Sequence, residues 1–305
     1  MNLLNEQSHS GPEIGKHASY SIIDCQSCGF IHSLLESGTD HQELYTSHFY
    51  DEEKPDYIKN NQEDADWWDF TYGLRIERAD ELTPQSTKSW LDIGTGPGYF
   101  LDSAVKREKR VIGIEPGILA ADHASSKGHR VINDYFNEKT SSDLGVFDGI
   151  HCSEVLEHVP DPLSFLRTIQ LNMDSNSILC TVVPNDFSLI QKIYTSDTQN
   201  HPKWWIGPPF HLNYFSKVSL RNLLQKSGLK VIYETSMFPI DLFLLMGDNY
   251  VGNERIGKEA HNRRKAMEMA FKNSGNISIL NRLYEEMTKL GIGRELVFFS
   301  RLDSK

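Results

Sequence analysis

The chain has 305 residues, of which 39% are hydrophobic and 24% charged, and it is long enough for one large α/β domain with appendages or for two small domains. Its 31 Lys and Arg residues stand against 42 Asp and Glu residues, and the formal charge of −11 argues against a dedicated nucleic-acid binder. The longest apolar run, 237–247, is far shorter than the ~20 residues of a membrane span, and the first residues lack the pattern of a secretory signal, so we expect a cytoplasmic protein without a membrane span.

The N-terminal segment 1–62 is expected to stand apart from the rest of the chain. Residues 1–24 are polar and weakly patterned, and Cys25-Gln26-Ser27-Cys28 indicates a knuckle-like turn. Apolar residues at helical spacing predict a helix over 66–82. This helix would link the N-terminal segment to the main domain, and the linking region is placed at 63–85.

Strand and helix patterns alternate from residue 86 to residue 237. Such alternation is typical of a mostly parallel sheet with helices on both faces. Residues 238–292 are predicted to be largely helical and to serve as a lid or as the interface of a homodimer, and 293–305 would add the closing strand. The predicted strands are 88–93, 110–115, 129–133, 146–152, 177–183, 229–236 and 294–302, and the predicted helices between 86 and 237 are 98–107, 117–127, 160–173 and 216–227.

The first strand of this region leads directly into a glycine-rich turn. Gly94, Gly96 and Gly98 leave alternate positions without a β-carbon, which lets a ligand approach the backbone closely. The spacing differs from the Gly-x-Gly-x-x-Gly pattern that places a pyrophosphate at a helix N-terminus. Asp92, just before the turn, suits a cation better than a phosphate. A ligand with an ammonium group, a sulfonium and no phosphate fits best, and S-adenosylmethionine (SAM) meets that description.

With these elements in place, the chain resembles the class I SAM-dependent methyltransferases. Residues 91–98 (Leu-Asp-Ile-Gly-Thr-Gly-Pro-Gly) resemble the first motif of that family. Residues 147–159 resemble the motif at the end of its fourth strand, in the branch that carries Glu-Val-Leu-Glu-His. The resemblance covers roughly 86–236, with 294–302 as the closing strand. It implies a Rossmann-like α/β fold with a seven-stranded sheet, methyl transfer from SAM, and release of S-adenosylhomocysteine (SAH).

The resemblance also implies a set of cofactor contacts at the strand ends. Asp92 and the glycine turn would hold the methionine end of SAM, Glu115 the ribose hydroxyls, and Asp134 the adenine. A helix-terminal acid is the alternative role for Glu115, and a surface-turn acid is the alternative for Asp134. The predicted cofactor-binding residues are Asp92, Gly94, Thr95, Gly96, Gly98, Glu115, Pro116, Asp134, Tyr135, Ser153 and Glu154.

Candidates for the chemistry lie just beyond the fourth strand and in the loop after the fifth. His158, His211 and Glu154 are the predicted catalytic residues, since a base near the methyl group would take the proton of a hydroxyl acceptor. Structural or SAM-contacting roles are the alternative. Glu154 and His158 would share a face if a helix has begun there. Together with Glu157 and His211 they also resemble the metal site of O-methyltransferases that act on quinone-like or RNA hydroxyls, but a divalent metal is not favoured.

The acceptor is expected to be a small molecule or a glycan-linked group, methylated on oxygen, and not a nucleic acid. Trp205 and Tyr214 are the predicted substrate contacts, with core packing as their alternative role. A non-catalytic SAM-binding protein, with 238–292 as its partner surface, is the other interpretation.

The turn with Cys25 and Cys28 resembles the second half of a zinc ribbon that precedes some sugar and surface-polysaccharide methyltransferases. Structural zinc needs four ligands, usually from two such knuckles. The first knuckle is absent, and the nearby histidines are His9 and His17 upstream and His32 downstream. We therefore expect an eroded ribbon without metal.

Overall fold

The computed structural model describes residues 9–34, 63–197 and 202–303. The predicted N-terminal segment 1–62 is therefore described over 9–34, and the rest of it lies outside the described residues. The chain divides into two compact units. The first consists of 1–35, 182–223 and 233–298, and the second of 36–181, 224–232 and 299–305. The domain boundaries proposed from the sequence stay predictions.

A four-stranded antiparallel sheet in the first unit was not predicted. Its strands, in spatial order, are β1 (Glu13–His17), β2 (Tyr20–Cys25), β3 (Phe30–Ser33) and β9 (Asn213–Tyr214). The expectation of weak patterning over 1–24 is wrong for β2, which buries Tyr20, Ile22 and Ile23. Since β1 is exposed along most of its length, it lacks the alternation that reveals a strand in the sequence.

The seven-stranded sheet that the sequence predicts is present, mostly parallel with one antiparallel pair. The spatial order is β10-β11-β8-β7-β4-β5-β6, so the fold is the expected Rossmann-like one. β8 is buried along its whole length, which explains its uninterrupted apolar sequence. The strands are β4 (Ser89–Ile93), β5 (Arg110–Ile114), β6 (Val131–Ile132), β7 (Gly149–Ser153), β8 (Ile178–Pro184), β10 (Leu229–Ser236) and β11 (Glu295–Leu302).

Some of the helices begin at capping residues that the sequence carries. Asp161 accepts a hydrogen bond from the N–H of Ser164 and caps the helix that starts at Pro162, while Asn137 and Thr140 form a capping box. The helices are α1 (Ala65–Leu82), α2 (Tyr99–Lys106), α3 (Ile118–Ser126), α4 (Glu138–Ser142), α5 (Pro162–Gln170), α6 (Leu189–Asp197), α7 (Lys217–Ser227), α8 (Leu242–Leu245), α9 (Glu254–Asn273) and α10 (Ile277–Leu290).

The segment 238–292 is largely helical, as predicted, and lies in the first unit as α8, α9 and α10. α10 buries Leu280, Tyr284 and Thr288, which are spaced four residues apart. Thr288 Oγ1 donates to Ser236 Oγ at 2.8 Å and so fixes this helix to β10. The use of the segment as a lid or a dimer interface stays a prediction. Within the described ranges, none of the helices combines the length and the apolar character that a membrane span requires.

Candidate functional site

Four neighbouring strands of the second unit, β7, β4, β5 and β6, run parallel and therefore end at one edge of the sheet. A polar residue lies at each end. Asp92 is the second-last residue of β4, Ser153 is the last residue of β7, and Glu115 and Asp134 follow β5 and β6. Ligands of open α/β sheets bind outside the carboxyl ends of the strands. The structure thus brings these predicted residues to one edge of one unit.

The turn after β4 depends on its three glycines. Gly94, Gly96 and Gly98 have φ angles of 74°, 53° and 85°, a left-handed conformation that costs other residues about 1–2 kcal/mol. The N–H groups of Gly94 and Thr95 donate to the carbonyl of Ile114 at 2.9 and 3.0 Å, which ties the turn to β5. α2 begins directly after Gly98. The turn therefore presents backbone, and little side chain, beside the ends of β4 and β5.

Asp92 lies in the interior, with 2% of its surface exposed. Its Oδ2 accepts a hydrogen bond from Thr95 Oγ1 at 2.5 Å, and its Oδ1 accepts one from Nδ1 of His151 at 2.7 Å. Asp92 and His151 are register partners on β4 and β7. A carboxylate has about four lone-pair positions, so the two oxygens of Asp92 retain capacity for further donors.

His151 connects Asp92 to a buried arginine on α1. Arg75 Nη1 donates to Nε2 of His151 at 3.0 Å and to Oγ of Ser153 at 3.2 Å. Since a guanidinium only donates, Nε2 is the acceptor and Nδ1 carries the proton that is donated to Asp92. Burial lowers the pKa of His151 despite the opposing effect of the Asp92 charge, so the ring is neutral. The network therefore joins an anion to a cation through a neutral imidazole.

Sequence reasoning missed both Arg75 and His151. The available signal for Arg75 was its place among apolar residues of α1, where it is buried with Phe70 and Ile76. A charged residue on such a face needs a buried partner. For His151 the signal was its position within a buried strand beside the strand of Asp92. The ring of Phe100 stacks on His151, with centroids 4.0 Å apart and planes 4° apart, and completes its apolar surroundings.

Glu115 is 5% exposed and receives one backbone N–H on each oxygen. Gly96 donates to its Oε2 and Gly117 to its Oε1, both at 2.8 Å. Burial raises the pKa of Glu115 to about 7, the charge of Asp92 adds to the rise, and the two N–H donors oppose it. The following residue, Pro116, accepts a hydrogen bond on its carbonyl from Asn133 Nδ2 at 3.1 Å. The carboxylate of Glu115 is thus fixed beside the glycine turn.

Asp134 and Tyr135 follow β6 on the surface side of the same edge. Asp134 is exposed, and its Oδ1 accepts the N–H of Tyr135 at 2.7 Å, while Tyr135 is half-buried. This local bond fixes the carboxylate of Asp134 and leaves it at the surface. The predicted adenine contact stays a prediction.

The segment after β7 corrects one expectation. It forms a series of turns, and α5 begins only at Pro162, so Glu154 and His158 do not share a helix face. Pro160 disfavours helical backbone in the residue before it, which accounts for the late start. Glu154 is exposed, with a left-handed φ of 55°. Glu157 is fully buried, and its Oε1 lies 3.7 Å from Nε2 of the half-buried His158.

The other predicted residues belong to the first unit. Trp205 and Tyr214 are 5% and 1% exposed and pack in one apolar cluster. Tyr214 Oη donates to the carbonyl of His211 at 2.8 Å and accepts the N–H of Gly207 at 3.3 Å, so it shapes the loop that carries His211. Burial raises the pKa of Tyr214. A contact of Trp205 or Tyr214 with an acceptor stays a prediction.

Known proteins share sequence and fold with this chain. A family model described as "Methyltransferase domain" matches residues 71–234. The ubiquinone biosynthesis O-methyltransferase of Vibrio parahaemolyticus is 30% identical over 183 residues, which cover 49% of this chain and 76% of that protein. The enzyme of the same name from Actinobacillus pleuropneumoniae is 30% identical over 135 residues, which cover 38% of this chain and 58% of that protein.

Solved structures share the fold at low sequence identity. The plantazolicin methyltransferase BamL, in complex with a triazolic desmethylPZN analog and SAH, superposes with a TM-score of 0.54 and 13% identity, covering 84% of this chain and 93% of that one. A SAM-dependent methyltransferase from Clostridium acetobutylicum gives a TM-score of 0.50 and 9% identity, covering 84% of this chain and 100% of that one.

Proposed function

Because this chain belongs to the methyltransferase-domain family, we propose that it transfers the methyl group of SAM to a hydroxyl oxygen of a small-molecule or glycan-linked acceptor. The observation that carries the cofactor assignment is the pair of buried carboxylates, Asp92 and Glu115, that flank the glycine turn. Asp92 supplies a negative charge for the ammonium group of the methionine end. Glu115 supplies acceptor oxygens for the ribose hydroxyls.

The charge of this edge favours SAM over a dinucleotide. A pyrophosphate beside the glycine turn would lie close to Asp92, and like charges repel strongly where burial lowers the effective dielectric constant. A sulfonium and an ammonium would instead be attracted. SAM, when bound, supplies an electrophilic methyl group, and the residues of the chain bind and orient it.

A hydroxyl acceptor must lose its proton as its oxygen takes the methyl group. His158 is the base in this proposal, because it is half-buried and lies 3.7 Å from the buried carboxylate of Glu157. A carboxylate beside an imidazole stabilises the ring once it has taken a proton. Glu157 is therefore a positioning residue, and His211 and Glu154 are the other candidates for the proton transfer.

Oxygen as the methylated atom is supported by the names of the two ubiquinone biosynthesis O-methyltransferases, each 30% identical over its aligned residues. A quinone-like phenol is accordingly the second acceptor class. The proposal assigns no step to a metal ion.

Calorimetric titration of the purified chain with SAH tests the cofactor assignment. One-to-one binding in the micromolar range is expected, and Glu115→Ala should weaken it at least tenfold. Glu138→Ala, which changes an acid in the first turn of α4, is the matched control and should bind as the wild type does. A wild type that binds no SAH would overturn the assignment. Tritiated SAM, offered with pools of phenols and of glycans, then identifies the acceptor by the transferred label.

A further inference from the structure

Four side chains with metal-binding atoms meet in the first unit, at the end of the four-stranded sheet. They are His9, Cys25, Cys28 and His32, and one ligand atom from each lies within 4.8 Å of all the others. Cys25 and His32 are buried, and His9 and Cys28 are half-buried. Because the first knuckle of a zinc ribbon is absent, the sequence predicts an eroded ribbon without metal. The structure brings two histidines beside the two cysteines.

The two cysteines have the backbone of a metal-binding knuckle. Cys25 ends β2, and the N–H of Cys28 donates to its Sγ at 3.5 Å. Gly29 donates its N–H to the carbonyl of Cys25 at 2.9 Å and adopts a φ of 80°, which a residue with a side chain would rarely take. An N–H directed at sulfur stabilises a thiolate, the form in which cysteine binds a metal.

His9 is held against this knuckle by backbone hydrogen bonds. The carbonyls of Ser10 and Pro12 accept N–H groups from Gln26 and Asp24, both at 3.0 Å. Nδ1 of His9 then lies 3.2 Å from Cys28 Sγ and 3.6 Å from Cys25 Sγ. With zinc–sulfur and zinc–nitrogen bonds of about 2.3 and 2.0–2.1 Å at tetrahedral angles, sulfur and nitrogen ligands lie about 3.6 Å apart. The observed spacing is therefore close to that of a shared zinc ion.

His32 supplies the fourth nitrogen in the required tautomer. Its Nδ1 lies 3.0 Å from the carbonyl of Ser33, and because a carbonyl only accepts, Nδ1 carries the proton. Nε2 therefore carries the lone pair, and it is buried without a hydrogen-bond partner among the residues that the structure describes. Metal-bound histidines usually donate their other N–H to a carbonyl or carboxylate in this way. The rings of His9 and His32 meet edge to face, with centroids 4.9 Å apart.

We propose that His9, Cys25, Cys28 and His32 bind one structural zinc ion. Two thiolates and two neutral imidazoles are a tetrahedral set that zinc prefers, and two thiolates neutralise the charge of a divalent ion in a largely buried place. All four positions are filled by protein groups, so the ion has a structural role and no open position for catalysis.

The ion would stabilise the loop that carries His211. β3 pairs with β9 through His32 and Asn213, and the N–H of Ser33 donates to the carbonyl of Leu212 at 2.8 Å. Zinc bound by His32 would therefore hold β3 in place, and with it Leu212, the residue next to His211. Removal of zinc should make the segment 202–215 more accessible to a protease, while β4 and its glycine turn keep their protection.

The test measures metal in the purified full chain by plasma mass spectrometry. The wild type should contain about one equivalent of zinc. His9→Ala and Cys28→Ser should each lose at least tenfold in zinc content after dialysis against a mild chelator. His17→Ala is the matched control, since His17 is an exposed histidine at the end of β1, and it should keep its zinc. His9→Ala with wild-type zinc content would overturn the assignment of that ligand.

Cobalt substitution in the intact wild type keeps the proposal testable if a variant fails to fold. Tetrahedral cobalt with two thiolates gives intense visible bands and a thiolate charge-transfer band, and both are expected at one equivalent of Co²⁺. A wild type that holds no zinc and shows no such bands would overturn the site. One equivalent of iron in place of zinc would overturn the choice of metal.

Discussion

Asp92 and His151 face each other on adjacent parallel strands, and Nδ1 of His151 donates to Oδ1 of Asp92 at 2.7 Å. Arg75 donates to the other nitrogen of the same ring, so Arg75, His151 and Asp92 form a hydrogen-bonded row. An isolated carboxylate would lose several kcal/mol of hydration at this depth. The row therefore supplies hydrogen-bond donors to the carboxylate of Asp92 below the glycine turn, where the proposed function needs that carboxylate.

Replacement of His151 tests this row. His151→Ala removes the partner of Asp92 and of Arg75 at once, and it is expected to lower the free energy of unfolding by about 3 kcal/mol. Urea unfolding followed by circular dichroism measures the loss. His123→Ala, a partly exposed histidine on α3, is the control and should stay within about 0.5 kcal/mol of the wild type. A loss no larger than that of the control would show that the row contributes little to stability.

The raised pKa of Glu115, about 7, predicts that SAH binding depends on pH. The charged carboxylate accepts hydroxyl hydrogen bonds more strongly than the protonated acid does. Affinity should therefore be full well above pH 7 and fall as the pH drops through 7. If only the charged form binds, the dissociation constant is about tenfold larger at pH 6 than at pH 8. Calorimetry at both values measures the change, and at pH 6.5 it should also detect protons released on binding.

The matching variant separates Glu115 from other titrating groups. Glu115→Gln cannot ionise, so its weaker affinity should stay nearly constant between pH 6 and pH 8. A wild-type affinity that does not change with pH would contradict the role of Glu115. A pH dependence that persists in the glutamine variant would assign it to another group.

Gly94 offers a test of the turn itself. An alanine there would adopt a φ of 74° and place its Cβ 2.5 Å from Cγ2 of Val155, so Gly94→Ala combines strain with a clash. Gly145 has a similar φ of 78° and open space around it, and Gly145→Ala should cost about 1–2 kcal/mol from strain alone. Gly94→Ala is expected to lower the free energy of unfolding by at least about 1 kcal/mol more than Gly145→Ala does. It should also bind SAH more weakly. Thermal unfolding and calorimetry compare the two variants.

Removal of the clashing methyl group provides the control. Adding Val155→Ala to Gly94→Ala should restore the stability lost to the clash. The stability lost to backbone strain at residue 94 should remain lost. If Gly94→Ala and Gly145→Ala lose equal stability, and Val155→Ala restores none of it, the contact with Val155 contributes nothing to the cost of the substitution.

The parallel sheet was predictable because its central strands, β4, β7 and β8, are buried and its strands alternate with helices. The four-stranded sheet was not, because β1 is exposed and β9 has only two residues. Its pairing of His32 with Asn213 also joins distant parts of the chain, and such a contact leaves no local signal. The same long-range contacts bring His9 to the cysteine knuckle, where sequence spacing indicated only an incomplete site.

The positions of candidate residues were predictable where they lie at a strand end, and their roles stay predictions. The glycine turn, Asp92 and Glu115 follow from the order of strands and the residues after them. Arg75 was not found because it reaches His151 from a helix far away in the sequence. Side-chain partners across that distance depend on packing that a single sequence does not reveal.

His158 carries the remaining chemical prediction. His158→Ala should lower kcat about 100-fold, because a general base contributes about 10²–10⁴-fold, while the dissociation constant of SAH changes less than twofold. Initial rates with tritiated SAM measure the loss, and added imidazole should restore part of it, which a purely structural role would not allow. His211→Ala, measured beside it, decides between the two histidines. If His211→Ala loses turnover and responds to imidazole while His158→Ala does not, the base is His211. Wild-type turnover in both variants would show that neither histidine takes the proton, and Glu154 would then be the candidate base.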